Sequence, residues 1–380
     1  MNAIKNKKVA IIGGGPGGLT LARLLQMNGV DVKVYERDHD KDARPKGATL
    51  DLHEESGLAA LREAGLMDAF NRNYRPGADK LRIVDKNGRI IFDDSTDQRE
   101  ETDRPEIDRG PLQEILLDSL LPGTVVWDSH FVSMEKQNES WQLLFKNGSV
   151  VQAGLVIAAD GANSKIRPYI TPIKPFYSGI TIVEGAVYYS EKATPIIHRL
   201  LSGGKIFAMG DSKSLIVSSK GDGSLVFYTG CKTDEGWSRN SGIDFKNKAE
   251  VLNWFRTEFA GWGRVWEELF ENASTDFVPR PQYCMPFDQY WDALPDMTII
   301  GDAAHLMPPY AGEGVNMAML DALELSKFLT SDAFPDTQAA IAAYEREMQA
   351  RAAEFAEMTM ESTNALHAPD AISYLLDIIS

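Results

Sequence analysis

The segment from Val9 to Arg37, VAIIGGGPGGLTLARLLQMNGVDVKVYER, constrains the fold more than any other part of the chain. Residues 7–12, KKVAII, read as a buried strand. A glycine turn follows and opens into a helix with apolar positions at Leu19, Leu21, Ala22, Leu24 and Leu25. A second strand, DVKVYER, comes directly after and carries an acid at its end. In such a unit each glycine of G-x-G-x-x-G has its own task. Gly13 permits the tight turn, Gly15 lets the backbone approach a pyrophosphate, and Gly18 lets helix and strand touch. The helix N-terminus adds amides and partial positive charge for phosphates. Glu36, 18 residues beyond Gly18, would accept hydrogen bonds from ribose hydroxyls. The segment therefore predicts a dinucleotide-binding α/β unit.

With 380 residues the chain exceeds a single small core, so two domains or one large α/β domain are expected. A formal charge of −16 excludes nucleic acid and anionic membrane as partners, because Lys5, Lys7 and Lys8 make the only basic cluster. The two cysteines, Cys231 and Cys284, have no partners at metal spacing and read as core residues in a reducing compartment. The basic start MNAIKNKK and the apolar stretch after it imitate a signal peptide, but the glycines break that pattern. A cytoplasmic monomer is the expectation.

Two further apolar strands end in glycine turns: GLVIAADGANSKIR at 154–167 and MTIIGDAAHLMPPYAGEGVNMAML at 297–320. G-x-G-x-x-G with its acid, D-G-x-x-S-x-x-R and G-D-A-A-H, in this order, resemble the FAD-dependent aromatic hydroxylases over nearly the whole chain. The stretch YERDHDKDARPKGATLDLH at 35–53, taken with GDAAHLMPPYAGEGVN, is similar to the tetracycline-inactivating flavin monooxygenases within that family. The resemblance implies an α/β fold: a Rossmann-type, glutathione-reductase-like FAD-binding domain, an inserted, mostly antiparallel β-sheet substrate domain, and a long C-terminal bridging helix. It also implies roles for particular residues. Gly13, Gly15, Gly18, Glu36 and Arg37 would hold the ADP part of FAD, and Asp302 the ribityl chain. The Asp160–Gly161 turn would serve the pyrophosphate and the nicotinamide cofactor, and Arg109 would reach the flavin from the start of its helix. Arg44 would contact NADPH and Asp51 FAD. Gly312 and Gly314 would bring backbone to the isoalloxazine ring, with Val315 and Asn316 at the start of the helix aimed at it.

The FAD-binding domain is expected to be discontinuous, over 1–75, 102–172 and 281–330. A substrate-binding domain would comprise 76–101 and 173–280, where short β-rich runs alternate with turns. The aromatic stretch AEVLNWFRTEFAGWGRVWEELF reads as helical, with Leu252, Phe255, Phe259, Trp262 and Trp266 forming a core stripe. Residues 336–380 would supply the bridging helix and a short apolar helix after it.

No nucleophile-and-base arrangement, H-E-x-x-H or clustered metal ligands appear, and the six histidines are scattered. His305 reads as a structural hydrogen bond at a turn. The hard chemistry would then belong to a cofactor. By resemblance, NADPH, or alternatively NADH, reduces FAD, dioxygen adds to form a C4a-hydroperoxide, and one oxygen passes to a phenolic or enolic small molecule. A tetracycline is the first substrate to consider. In an ungapped placement, the tetracycline-contacting positions of the resembled enzymes fall on Glu184, Lys205 and Val226, with Pro309 and Gly312 closing the site. Those side chains keep one charge in kind and lose a polar contact, so another aromatic or polyketide substrate stays open. So does a non-catalytic flavin-binding protein of the same fold. A flavin halogenase lacks support, since no W-x-W-x-I-P stretch occurs. Glu313, where some relatives carry glutamine, is expected to turn its carboxylate away from the flavin, in deference to the helix dipole.

Overall fold

Three apolar runs far apart in sequence become neighbours in one sheet. In this computed structural model, which describes residues 4, 7–43, 49–94 and 104–379, five strands lie parallel. Their order is Met297–Ile299, Leu155–Ala158, Val9–Ile12, Val32–Tyr35 and Val125–Val126. The first three are buried throughout, as parallel strands covered on both faces must be. Each runs into one of the glycine motifs, so all three motifs emerge at the same end of the sheet, where ligands bind in open α/β folds. Helix Pro16–Met27 covers one face and crosses helix Gly314–Thr330 closely. A Cβ on Gly17 would lie 2.8 Å from the Ala318 carbonyl oxygen, so a larger residue there would push the helices apart.

A second sheet has seven strands in the order Val278–Cys284, Phe176–Val187, Leu225–Lys232, Lys213–Ser219, Lys205–Gly210, Leu81–Asp85 and Ile90–Asp93. Every pairing is antiparallel except that of Lys205–Gly210 with Leu81–Asp85. The mixed α/β class expected from sequence is thus observed.

Side chains alternate across these strands. Leu215, Val217, Leu225 and Phe227 join a core with Phe255 of helix Lys248–Glu258 and Phe270 of helix Glu267–Glu271. The Phe255 and Phe270 rings stack with centroids 4.2 Å apart. The aromatic stretch is buried as expected but is not one helix. It breaks after Glu258, where Gly261 takes φ +88°, a conformation the α-helix excludes.

The opposite face carries Phe207, Ile216, Val226, Tyr228 and Gly230. It looks toward the loop before helix Gly314–Thr330, for a Cβ on Gly230 would lie 2.6 Å from the Tyr310 hydroxyl. Helix Thr337–Leu366 reaches both sheets: Tyr344 donates to the Ile299 carbonyl at 3.2 Å, and just beyond its end His367 Nε2 lies 3.1 Å from Ser214 Oγ. Asp336 caps its start by accepting from Ala339 N at 2.9 Å. Helix Ala371–Ile379 packs on Ile83 and Met209. Both cysteines are buried, and burial pushes their thiols up to about 12. No helix among the described residues is long and apolar enough to cross a membrane.

Candidate functional site at three converging turns

At the first turn, backbone contact rather than side chains dictates the glycines. Gly13 has φ +112°, and a Cβ there would lie 2.2 Å from the Ala159 carbonyl oxygen. A Cβ on Gly18 would meet the Gly13 carbonyl oxygen at 2.2 Å. Around a Cβ on Gly15 nothing lies within 4 Å. The middle glycine therefore faces open space at a helix N-terminus, the geometry a phosphate group needs. Glu36, nearly buried, accepts from Gly14 N at 2.7 Å and Asp38 N at 3.0 Å, which ties the turn to the end of the second strand. Arg37 is exposed beside it.

At the second turn Gly161 takes φ +76°. Asp160 accepts from Lys165 N at 2.8 Å through Oδ2, while its Oδ1 is buried without a hydrogen-bond partner. Burial raises the Asp160 pKa, against hydrogen bonds from Ser164 and nearby amides. Ser164 Oγ accepts from the Arg167 amide at 2.9 Å and so positions that arginine. The buried Arg167 side chain crosses to the third turn. Its Nε donates to the Ala303 carbonyl at 2.5 Å and one terminal nitrogen to the Asp302 carbonyl at 3.0 Å.

The third turn is fixed from below. Gly301, at φ +61°, donates its amide to Asp321 Oδ2 at 2.8 Å. Asp321 also meets His305 Nε2 at 2.6 Å and accepts from Arg351 at 2.9 Å. Burial alone would raise the Asp321 pKa, but His305 and Arg351 hold it below the usual value. His305 is thus a structural residue. Asp302, the next residue along, has its pKa raised by burial against the pull of His305, Arg109 and Arg167. Its Oδ1 lies 3.8 Å from where a Gly314 Cβ would be, beside the first residue of helix Gly314–Thr330.

The loop before that helix holds Pro309, which is exposed, and Gly312, at φ +75°. A Cβ on Gly312 would lie 3.4 Å from both Asp51 carboxylate oxygens. Val315 is half-buried, and the amides of Gly314, Val315 and Asn316 have no intrahelical acceptor. The Asn316 side chain is engaged within the protein. Its buried amide group donates to the Asp51 carbonyl at 3.0 Å and accepts from His53 N at 3.0 Å and Ser56 Oγ at 3.3 Å. The side chain thus clamps the start of the helix to the segment from Asp51 to Ser56. Glu313 caps no helix amide. It is buried, with Oε2 3.5 Å from His53 Nδ1, so its partner is a histidine and not the helix dipole.

Of the expected substrate positions, Glu184, Lys205 and Val226 lie on the same face of the seven-stranded sheet as Tyr228, and two of these are engaged. Glu184 forms an ion pair with Arg280, and Lys205 one with the buried Glu106. Val226 is buried. Arg109 is exposed at the first position of helix Arg109–Asp118, and its charge opposes the rise in pKa at both Asp302 and Tyr228. Arg44 lies outside the described residues. His53, Glu106 and Gly17 were not singled out as site-forming. Only the extra glycine pair around the fingerprint gave a signal for any of them.

An open Gly15, an orphaned Asp160 Oδ1 and a carboxylate beside a helix N-terminus fit a dinucleotide carrying a ribityl chain. Comparison with known proteins agrees: the family described as FAD binding domain matches residues 6–180 and 296–359, more than half of the chain. The chain belongs to this family. The resemblance to FAD-dependent aromatic hydroxylases drawn from its three motifs holds. This FAD-binding protein is similar to monooxygenase asqM of Emericella nidulans, at 29% identity over 93% of its own length and 94% of the relative's. Its fold is shared by Klebsiella pneumoniae HpxO complexed with FAD and uric acid, with TM-score 0.76, 21% identity and coverage of 97% and 91%. Tetracycline destructase Tet(51) also shares it, with TM-score 0.73, 18% identity and coverage of 98% and 94%.

Proposed function

We propose that the chain is an FAD-dependent monooxygenase that consumes NADPH, or NADH, and hydroxylates a polycyclic or aromatic phenol or enol. The overall balance is one reduced nicotinamide, one dioxygen, one proton and substrate giving oxidised nicotinamide, water and hydroxylated substrate. The observation that carries the reading is the convergence of three glycine turns at one end of the parallel sheet, with Gly15 open, Asp160 Oδ1 unpartnered and Asp302 beside the first residue of helix Gly314–Thr330.

Bound FAD supplies the redox chemistry, taking a hydride and activating dioxygen. The residues of the chain do the rest. Gly13, Gly15 and Gly18 admit the pyrophosphate, Glu36 and Arg37 take the adenosine end, and Asp160 with Gly161 flanks the phosphates. Asp302 accepts from the ribityl hydroxyls. Asp51, Gly312, Gly314 and Val315 surround the ring end, where helix amides favour negative charge. Phe207 and Ile216 offer an apolar floor. Tyr228, on the same face, has its pKa raised by burial and then by Glu184, and is the candidate donor to a substrate oxygen.

Two substrate readings stand, a tetracycline-class compound and another aromatic or polyketide phenol. The ion pairs of Lys205 with Glu106 and of Glu184 with Arg280 favour the second, because charges already paired would have to be uncoupled to bind the drug. The test is anaerobic mixing with NADPH followed by oxygen, with and without a tetracycline or simple phenols, and mass spectrometry of the products. A gain of one oxygen atom on a phenol supports the reading. Nicotinamide oxidation without any modified phenol leaves only an oxidase, and flavin binding without nicotinamide oxidation leaves a non-catalytic flavoprotein.

A further inference from the structure

The segment between the third turn and helix Gly314–Thr330, from Met307 to Gly312, has little backbone bonding to hold it. Pro308 and Pro309 carry no N–H, and the bond inside the turn runs from Gly312 N to the Pro309 carbonyl at 3.1 Å. Side chains of the long helix Thr337–Leu366 do the holding. Thr359 Oγ1 donates to Met307 Sδ at 3.5 Å, and two turns further on, at the helix end, His367 meets the Tyr310 hydroxyl.

His367 is fully buried, and both of its ring nitrogens are engaged. Nδ1 lies 2.8 Å from the Thr363 carbonyl, one turn back on the helix, and carries the proton that this contact needs. Burial lowers the pKa of the ring to about 4, so the ring is neutral and Nε2 offers its lone pair. Two hydroxyls reach that lone pair. Ser214 Oγ comes from the seven-stranded sheet at 3.1 Å, and the Tyr310 hydroxyl from the loop at 3.3 Å. Burial raises the Tyr310 pKa, so this hydroxyl keeps its proton to donate. The Tyr310 and His367 rings also meet edge-on, with centroids 5.0 Å apart.

Gly230 stands against all three groups. A Cβ there would lie 2.5 Å from Ser214 Oγ, 2.6 Å from the Tyr310 hydroxyl and 2.8 Å from His367 Nε2. The sheet therefore leaves out a side chain where sheet, loop and helix end come together.

We propose that His367 is a positioning residue: by accepting from Tyr310 it locks the Met307–Gly312 segment between the seven-stranded sheet and the long helix, and so fixes where the amides of Gly314, Val315 and Asn316 stand for a bound flavin. This rests on the FAD placement proposed above. Fully buried, His367 acts through Tyr310 and not on a ligand. A residue 57 positions further along the chain thereby sets the shape of the loop that leads into the cofactor helix.

The experiment follows hydrogen exchange of the backbone amides of residues 310–316 in the full-length chain, without and with FAD, together with FAD affinity by flavin fluorescence. Tyr310→Phe and His367→Leu should each speed this exchange and weaken FAD binding by about fivefold, the worth of one hydrogen bond. The double variant should do no more than either single one, because the two residues act as a unit. His367→Gln, which keeps an acceptor for Tyr310 and a donor for the Thr363 carbonyl, should restore most of both. Ser214→Ala should match wild type, because Tyr310 then has Nε2 to itself. Three results would each overturn the lock and leave the FAD site standing: unchanged exchange in Tyr310→Phe and His367→Leu, additive effects in the double variant, or a loop loosened as much by Ser214→Ala as by Tyr310→Phe. Wild-type chain that cannot be loaded with FAD would overturn the site itself, and exchange in the FAD-free chain then decides the lock.

Discussion

Arg167 and Ala303 are 136 residues apart in sequence, and the guanidinium Nε of the first donates to the carbonyl of the second at 2.5 Å. A second donation reaches the Asp302 carbonyl, so one buried side chain sets the distance between two glycine turns. Arg167→Met should leave those carbonyls unsatisfied at about 1–3 kcal/mol each and loosen the third turn. Thermal unfolding and FAD titration by flavin fluorescence should both worsen. Arg167→Lys, with one point charge in place of a fork, should rescue little.

Asp302→Ala should behave differently. The carboxylate is desolvated and its pKa raised, so removing it should cost the empty fold little. FAD binding should weaken by about tenfold through the lost acceptor. Unchanged FAD affinity in this variant would remove Asp302 from the site.

The two outer and middle glycines of the fingerprint can be separated by experiment. Gly18→Ala drives a Cβ to 2.2 Å from the Gly13 carbonyl and should destabilise the protein with or without flavin. Gly15→Ala meets no protein atom within 4 Å and has φ −74°, so the melting temperature of the apoprotein should stay near wild type. Its FAD affinity should fall because the methyl occupies the phosphate approach. A wild-type affinity for Gly15→Ala would refute that approach.

Glu345, 2% exposed on the long helix, forms no ion pair among the described residues and accepts from Thr298 Oγ1 at 2.7 Å. Burial pushes its pKa from 4.5 to about 7. The folded chain therefore binds more protons at this position than the unfolded chain between those values. Its contribution to stability is full below pH 4.5 and declines as pH rises through about 7. Glu345→Gln should remove this decline, by at most about 3 kcal/mol between pH 5 and pH 8. Urea unfolding of both proteins at those pH values measures it, and parallel pH profiles would contradict it.

The parallel sheet was legible because each of its central strands is an unbroken apolar run ending in a glycine turn, a pattern that burial on both faces requires. The motifs at those ends were legible for the same reason. The break after Glu258 was not, since a strong aromatic period outweighed Gly261, whose cost appears only when φ is known. His53 was hidden as one of six scattered histidines. Its partners are two residues and 260 residues away, and no spacing rule links such distances. The ion pair that engages Glu184 is set by the register of two paired strands, and the one that engages Lys205 by the packing of the two-stranded ribbon on the seven-stranded sheet, neither of which an ungapped placement contains.

The parallel sheet also bears on how the chain can be made. Its adjacent strands Val9–Ile12, Leu155–Ala158 and Met297–Ile299 are drawn from the beginning, middle and last third of the sequence. During synthesis the first glycine turn leaves the ribosome long before the strand that leads to Asp302 exists. The nascent N-terminal half must wait with an unpaired sheet edge, a state prone to aggregation. No fragment ending before residue 297 contains a complete cradle. Expression of the isolated first half as a flavin-binding module should therefore fail, and chaperone supply or slower translation should raise the yield of the whole chain.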